Sequence, residues 1–473
     1  MTRRGLTTRH LKYVLLGGMT LGLCAPTASA DTLEDAMALA YQGNPNLLAA
    51  RAQLRATDEN VPIALSGWRP TLDVSGQFQN SSAETQVFSG GNVGQVFTGG
   101  TTVRTSQSLR VKVVQPIFRG FRTIAQTAQA RNQVAAQRAR LEATEAQVLL
   151  QAATAYLDVL QNQVVVELRM NNVQVLTRQL EATNDRFRVG EITRTDVAQS
   201  QANLAGANAS LVQAEGALQQ ARSTYQNIVG KAPENLARPD LPSLLPGSLQ
   251  AAIDVATRDN PNFMAADYTA LAADEAISLA RGELLPTVQL IGSFSKGWNT
   301  VADKSRTENA TALAQVSVPI YQAGAEYARL RQSKHTAGQQ RLLADQARLD
   351  ARNTATTAWE DLQATTAAID SFQAQVSANE IALEGVQREA EVGARTVLDV
   401  LEEEQRLLNS RVNLVQSQRD QVVAAYQLLG SMGMLTGADM GLSGPVYDSE
   451  AHFEDVEYQF FGGDADAGSD ANR

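Results

Sequence analysis

Residues 121–160 read FRTIAQTAQARNQVAAQRARLEATEAQVLLQAATAYLDVL, a run dominated by alanine, glutamine, leucine and arginine. The run belongs to a proline-free span from Ile117 to Ala232, and a second proline-free span extends from Ile320 to Gly444. Proline inside a helix costs about 3 kcal/mol, whereas these residue types favour helix. Aromatic residues make up only 5% of the 473 residues, too few for an ordinary large β-sandwich or barrel enzyme. We therefore predict an elongated, mainly α-helical protein.

The amino terminus has the composition of a targeting segment. Basic residues precede an apolar run from Tyr13 to Cys24, and an Ala-Ser-Ala sequence then ends at Ala30. This pattern predicts a signal peptide over residues 1–30, because a transmembrane helix needs about 20 apolar residues. Lipidation of Cys24 is disfavoured because Leu23 occupies a position where a small residue is expected. Cleavage after Ala30 leaves an exported chain without cysteine.

The formal net charge of −10 is concentrated near the carboxyl end. Residues 438–473 are rich in aspartate, glutamate, glycine and serine, which predicts an acidic, flexible tail. The negative charge of the chain disfavours a nucleic-acid partner.

The same order of motifs occurs twice along the chain. The corresponding pairs are Asn44-Pro45 with Asn260-Pro261, Pro116-Ile117-Phe118 with Pro319-Ile320-Tyr321, and Val189-Gly190 with Val392-Gly393. A register kept over most of the chain indicates internal duplication. We predict two structural repeats, residues 31–230 and 248–437, joined by a linker over residues 231–247.

Each repeat contains two segments in which apolar and polar residues alternate, as Leu72, Val74 and Phe78 do with their neighbours. The predicted strands cover about residues 70–80, 105–117, 286–298 and 309–320. Alternation is typical of a half-buried strand, and in an exported chain also of a transmembrane β-barrel whose apolar face contacts lipid. The turns are predicted at Ser89–Gly100 and around Asp303.

Four strands cannot close a barrel, and the smallest transmembrane barrels have eight strands. A membrane location therefore requires oligomerisation. A dimer would supply eight strands and a trimer 12, and the strand pattern does not choose between them.

Helical hairpins are predicted over residues 120–230 and 323–437. The first helix of the first hairpin, from Gly120 to Arg188, would be about 105 Å long. Its returning helix is shorter, and the segment Asn44–Leu65 supplies the missing length, with Pro62 expected to kink or end that segment. Alanines along these helices favour close coiled-coil packing, so several protomers could form a hollow helical cylinder.

Three sets of motifs together resemble the TolC family of bacterial outer-membrane factors over roughly residues 32–437. They are the Thr-Leu-x-x-Ala…Asn-Pro signature at 32–45, the Gln-Pro-Ile-Phe and Val-Pro-Ile-Tyr motifs around Pro116 and Pro319, and the two Val-Gly turns. The resemblance implies a homotrimer whose 12-stranded β-barrel lies in outer-membrane lipid and continues into a periplasmic α-helical barrel. It implies a passive duct for type I protein secretion or small-molecule efflux, of the non-lipidated type. A periplasmic adaptor and an inner-membrane ABC or RND transporter would engage it.

Acidic residues follow both Val-Gly turns. Asp196 lies three residues after Thr193, the spacing of a helix-capping pair, and capping is the favoured interpretation. Asp399 has the same spacing from Thr396, but Glu402 follows on the same helical face. In the implied trimer, Asp399 and Glu402 would form carboxylate rings at the periplasmic aperture, with raised pKa values and a preference for cations. A solvated acidic face is the alternative.

The resemblance also implies a gate closed by links between neighbouring coiled coils. Thr195 and Asp196 on one hairpin and Arg395 on the other are the candidates for this latch. Ala390 stands where a tyrosine is expected, so one link of the family pattern is missing here. The resemblance places adaptor docking at the turn residues Val189, Gly190, Val392 and Gly393.

Nothing in the sequence favours catalysis, a metal site or a cofactor. His335 and His452 remain after removal of the signal peptide, and neither belongs to a catalytic motif. The alternative function is a periplasmic coiled-coil adaptor or structural scaffold, which would share the signal peptide and the long helices but would not require four alternating strands.

Overall fold

A computed structural model describes residues 31–90 and 95–463. The predicted signal peptide lies outside the described residues. The helices are α1 (Leu33–Gly43), α2 (Pro45–Asp58), α3 (Asn60–Leu65), α4 (Arg122–Arg188), α5 (Arg194–Val229), α6 (Leu249–Asp259), α7 (Pro261–Gly282), α8 (Ala325–Glu391), α9 (Val397–Ser431) and α10 (Ala451–Val456). The strands are β1 (Thr71–Gly90), β2 (Gln95–Arg119), β3 (Thr287–Trp298) and β4 (Arg306–Ser317).

Two helical hairpins dominate the fold, as predicted. α4 and α8 contain 67 residues each, which corresponds to roughly 100 Å. Their partners α5 and α9 are only 36 and 35 residues long. The shorter helices α2, α3 and α7 pack along α4, and α7 also packs along α8. Within the described residues, no helix is long and apolar enough to cross a membrane.

The segment predicted to form one helix up to Leu65 is interrupted at Glu59, between α2 and α3. Pro62 lies in the first turn of α3, where a backbone N–H has no helical partner in any case. The break therefore falls just before the proline rather than at it. The equivalent helix α7 has no internal proline and runs unbroken for 22 residues.

The four strands form one antiparallel sheet in the order β1-β2-β3-β4. β1 and β2 pair from Thr71 opposite Val114 to Gly90 opposite Gln95, so both strands are longer than predicted. The prediction of a loop over Ser89–Gly100 is therefore wrong for most of its length. Serine, threonine and glycine dominate this part of the hairpin, so apolar alternation does not reveal it, but its backbone hydrogen bonds continue the ladder.

β4 begins and ends earlier than predicted, and Pro319 lies beyond it. Proline cannot donate to a strand ladder, which explains why the strand stops before this residue.

One face of the sheet is mostly apolar and exposed, and its charged side chains, Lys296, Glu308 and Arg306, lie in the last two rows shared by all four strands. Leu72 and Phe78 are 67% and 70% exposed, and they share this face with residues of all four strands. One row across this face contains Val74, Val111, Phe294 and Ala310, one residue from each strand. The opposite face carries polar side chains such as Asp73, Ser75 and Ser295, as strand alternation requires.

The main hydrophobic core lies around the middle of α4 and the carboxyl ends of α5 and α9. Tyr156 and Leu149 of α4 are fully buried there. The Tyr156 hydroxyl lies 2.8 Å from the carbonyl oxygen of Asp31 and 2.6 Å from that of Ala237. This contact fixes the chain that joins the two repeats against the core.

The carboxyl-terminal segment 438–463 packs on the protein, so the prediction of a flexible tail is wrong for these residues. α10 contacts α2, and Nδ1 of His452 lies 2.9 Å from the buried carboxylate of Asp58. Arg138 contacts Glu450 at 2.9 Å. Composition favours solvation of this segment, but it does not reveal complementary charges on α2 and α4. Residues 464–473 lie outside the described residues.

Candidate functional site

The two hairpin tips, residues 189–193 and 392–396, have the same backbone design. The Glu191 N–H donates to the Arg186 carbonyl at 3.0 Å, and the Ala394 N–H donates to the Glu389 carbonyl at 2.9 Å. These bonds close the ends of α4 and α8 around glycines with φ of +84° and +79°. A side chain is disfavoured at that φ, which explains why glycine follows valine in both turns.

Both tips expose apolar side chains. Val189 is 72% exposed and Val392 is 81% exposed. Phe187, near the first tip, is also exposed. Exposure of large apolar side chains to water is unfavourable, and exposed apolar surface often marks an interaction site. This pair of tips is therefore a candidate contact surface for another protein.

The carboxylates of Asp196 and Asp399 cap the helices that follow the tips. Asp196 Oδ2 accepts hydrogen bonds from the backbone N–H and the hydroxyl of Thr193, at 2.9 and 2.8 Å. Asp399 Oδ2 does the same with Thr396, at 2.8 Å for both. The capping interpretation of Asp196 is confirmed, and it extends to Asp399.

These hydrogen bonds lower the pKa of both carboxylates below the ordinary value, Asp196 mainly through the Thr193 hydroxyl and Asp399 mainly through the Thr396 backbone. The predicted rise in the pKa of Asp399 concerns carboxylate rings between subunits, whereas within the protomer the cap lowers this pKa.

Glu402 lies one turn beyond Asp399 on α9, and its carboxylate is 3.8 Å from the guanidinium of Arg406. Arg406 also contacts Glu403. Arg406 is not among the residues predicted from the sequence, although its spacing of four residues from Glu402 is the ordinary signal for a helical ion pair.

Arg395 does not contact Thr195 or Asp196 within the protomer. Its Nε donates to the Glu389 carboxylate at 2.9 Å. Asp196 is already engaged by Thr193, whereas Glu389 lies across the same turn as Arg395. The sequence signal for this pair is an acid on the other side of the Val-Gly turn, six residues before Arg395.

A groove of about 240 Å³ separates α4 from the second hairpin beside the tips. Thr183 and Arg186 of α4 line one side, and Ala390 and Arg395 line the other. Glu404 lies in the same groove, accepts a hydrogen bond from Gln387 at 3.2 Å, and has a pKa raised by burial. The predicted latch residue Arg395 therefore borders a cleft between the two hairpins, and the carboxyl group of Glu404 lines the same cleft.

The two prolines lie where the sheet passes into the long helices. Pro116 is near the end of β2, beside a register shift before Phe118, and Pro319 lies between β4 and α8. At Gly120 the backbone passes so close to α7 that an added Cβ would lie 2.5 Å from the Gly282 carbonyl oxygen. The first junction therefore requires glycine for space as well as for its φ of +60°.

An antiparallel sheet with an exposed apolar face, continuous with helical hairpins of roughly 100 Å, defines the class of outer-membrane channel protomers. Comparison with known proteins agrees with this class. The family model "Outer membrane efflux protein" matches residues 36–231 and 252–434. The chain belongs to this family.

Relatives support the same conclusion. Outer membrane efflux protein BepC of Brucella suis biovar 1 is 35% identical over 451 residues, which are 95% of each chain. Outer membrane protein TolC of Vibrio cholerae is 26% identical over 442 residues, 89% of this chain and 94% of its own. The crystal structure of outer membrane protein VceC from Vibrio cholerae aligns with a TM-score of 0.70 at 20% identity, covering 85% of this chain and 96% of that chain.

The predicted resemblance to the TolC family and the outer-membrane location are therefore confirmed, as is the mainly helical fold with four strands. The family consists of efflux channels and not of enzymes. The alternative of a periplasmic adaptor or scaffold is not supported by these relatives.

Proposed function

We propose that the protein is the outer-membrane exit duct of a tripartite export system, and that three copies assemble into one passive channel. The observation that carries this proposal is the exposed apolar face of an open four-stranded sheet. Lipid would cover that face, but the edges β1 and β4 would keep unpaired backbone groups, which a bilayer does not tolerate. Pairing β4 of one copy with β1 of the next removes every edge when the ring closes, and three copies give a 12-stranded barrel.

The helical hairpins support the same assembly. Leu342 and Ile381 of α8 are 71% and 70% exposed, and Leu349 is also exposed. A neighbouring protomer would cover these side chains and extend the hairpins into a periplasmic helical barrel. With the helices on the periplasmic side, the turns of the β-strands lie at the outer surface.

The hairpin tips are the proposed docking sites for a periplasmic adaptor, which would connect the duct to an inner-membrane ABC or RND transporter. Val189, Gly190, Val392 and Gly393 form this surface, and its exposed valines support the assignment. The cargo class, whether polypeptide or small molecule, is set by those partners rather than by the passive duct.

Asp399 and Glu402 are proposed to line the periplasmic aperture. Capping holds Asp399 ionised at neutral pH, so three copies would carry fixed negative charge around the opening. Such rings favour cations. Arg395 is proposed to latch the closed tip by exchanging Glu389 for Thr195 or Asp196 of a neighbouring hairpin.

Assembly is tested with the purified protein in detergent. We expect a trimer that resists SDS until heated and forms conducting channels in planar bilayers. A soluble, elongated monomer would refute the duct. At the aperture, the double variant Asp399→Asn with Glu402→Gln should reduce the cation preference measured from reversal potentials. Unchanged selectivity in conducting channels would show that these carboxylates do not line the constriction.

A further inference from the structure

The polar face of the sheet carries an unbalanced positive charge. Between the rows of Thr71 and Phe78, its titratable side chains are Asp73, Arg110 and Lys112. Lys112 lies directly opposite Asp73, so these charges offset each other. The charge of Arg110 remains.

The surroundings of Arg110 leave its guanidinium available. Its lateral row contains only uncharged neighbours, Ser75, Ser295 and Asn309. Arg110 is exposed, and no hydrogen bond or ion pair joins it to another residue in the described part of the chain. Opposite charges on adjacent strands can pair when they lie directly opposite or diagonal to each other. The carboxylate diagonal to Arg110 is that of Asp73, which lies directly opposite Lys112. The positions directly beside Arg110 in its own row are small and neutral, which leaves space for an external ligand.

Arg110 also lies within reach of the outer opening. The last row shared by all four strands contains Phe78, Gln107, Trp298 and Arg306. Arg110 is three residues along β2 from Gln107, or about 10 Å at 3.3 Å per residue. In the proposed barrel the apolar face contacts lipid, so Arg110 faces the lumen just inside the rim.

We propose that the Arg110 side chains of three protomers form an anion-binding collar in the lumen of the barrel. This inference rests on the proposed duct. The ligands are multivalent anions that carry phosphate or carboxylate groups, because the planar fork of a guanidinium binds these groups through paired hydrogen bonds. Rings of basic residues favour anions as rings of acids favour cations. The duct would then have an acidic periplasmic aperture and a basic outer collar.

The two charge rings would act on different species. Cations would be concentrated at the aperture and multivalent anions near the outer rim. The collar would therefore delay anionic solutes near the exit and give external polyanions a site in the duct. The attraction should weaken as salt rises, since the Debye length falls to about 3 Å at 1 M.

The test uses the full-length mature protein in planar bilayers, with inorganic triphosphate added to one side at a time. We expect triphosphate to interrupt the current from the outer side. Arg110→Gln should raise the half-blocking concentration by roughly tenfold or more, because each subunit loses a charged, hydrogen-bonding ligand. Arg110→Lys should weaken the block less than Arg110→Gln does, because the charge remains although the paired hydrogen bonds of the guanidinium are lost.

Arg306→Gln is the matched control. It removes the same charge from the same sheet, but Arg306 lies on the lipid-facing side. Block that persists in this variant and weakens in Arg110→Gln supports the collar. Conducting channels without triphosphate block, or equal loss of block in both variants, overturn it while leaving the duct intact. Absence of channels in the unmodified protein refutes the duct itself.

Discussion

α4 and α8 are equal in length and occupy corresponding positions in the two repeats, but they bury different side chains. α4 buries large residues, among them Leu149, Tyr156 and Val159. The residues that α8 buries are mainly alanines, and its Leu342 and Leu349 are exposed. α4 therefore lies in the core of the protomer, whereas α8 directs several of its large apolar side chains outside it.

This difference shows how a duplicated backbone serves two purposes. Burial of a large apolar side chain within the chain stabilises folding of the single protomer. The same kind of side chain left exposed stabilises nothing until a second copy covers it. In the proposed trimer, α4 is thus the folding helix and α8 the assembly helix, and the following experiments separate these roles.

The largest expected effect is on α4. Leu149→Ala removes a fully buried side chain and should lower the free energy of unfolding by about 2–5 kcal/mol. Denaturant unfolding of the dissociated monomer in detergent, at protein concentrations too low for assembly and followed by circular dichroism, measures the change. The control is Leu342→Ala on α8, which should leave unfolding of the protomer within about 0.5 kcal/mol of the unmodified protein, because this position is exposed. Equal destabilisation by both variants would contradict the division of roles.

The next effect concerns assembly. The double variant Leu342→Ala with Leu349→Ala should lower the temperature at which SDS-resistant trimers convert to monomers, because it removes apolar surface that a neighbour would cover. Each side chain contributes up to about 1.5–3 kcal/mol if fully buried. Gel analysis across a temperature series measures the shift. A trimer as heat-resistant as the unmodified protein would place the subunit interface elsewhere.

A smaller effect is expected where the two repeats are alike, at the caps of the hairpin tips. Thr193→Ala and Thr396→Ala each remove a cap, which should raise amide exchange in the first turn of α5 or α9 by roughly fivefold. The pKa values of Asp196 and Asp399 are lowered by these caps from the ordinary 3.8. The two ionised carboxylates therefore stabilise the starts of α5 and α9 fully at pH values well above 3.8. This stabilisation is lost as the pH falls through the lowered pKa values of Asp196 and Asp399.

Hydrogen exchange at pH 7 and in acid tests this sign. The unmodified tips should lose protection in acid, and the two alanine variants should show less further loss. If acid leaves the protection of the unmodified tips unchanged, the carboxylates do not stabilise these helices.

Local patterns predicted the parts of this fold that local physics determines. Proline placement located the long helices, and the spacing of Thr193 and Asp196 identified a cap. Contacts between distant segments were not predictable in the same way. The pairing of His452 with Asp58 orders a segment whose composition favours solvation, because the pairing depends on how α10 packs against α2.

The same limit applies to the candidate site. The family resemblance predicts Asp196 as a partner of Arg395. Within the protomer, however, Arg395 contacts Glu389, and the Asp196 carboxylate accepts a hydrogen bond from the capping residue Thr193. A contact between subunits depends on an arrangement that no single chain contains. Charge and spacing in the sequence identify candidate residues for such a contact. They do not determine which of several nearby acidic residues pairs with one arginine.

The smallest expected effect tests that competition. Arg395→Ala should raise the basal conductance of the channel by at most about fivefold, because exposed ion pairs are weak, and should leave unfolding unchanged. Arg188→Ala is the matched control, because Arg188 pairs with Asp185 within its own helix at the other tip. Single-channel recordings compare both variants with the unmodified protein. If Arg395 only tethers Glu389, the two variants will behave alike, and a selective increase in Arg395→Ala is the signature of a latch between hairpins.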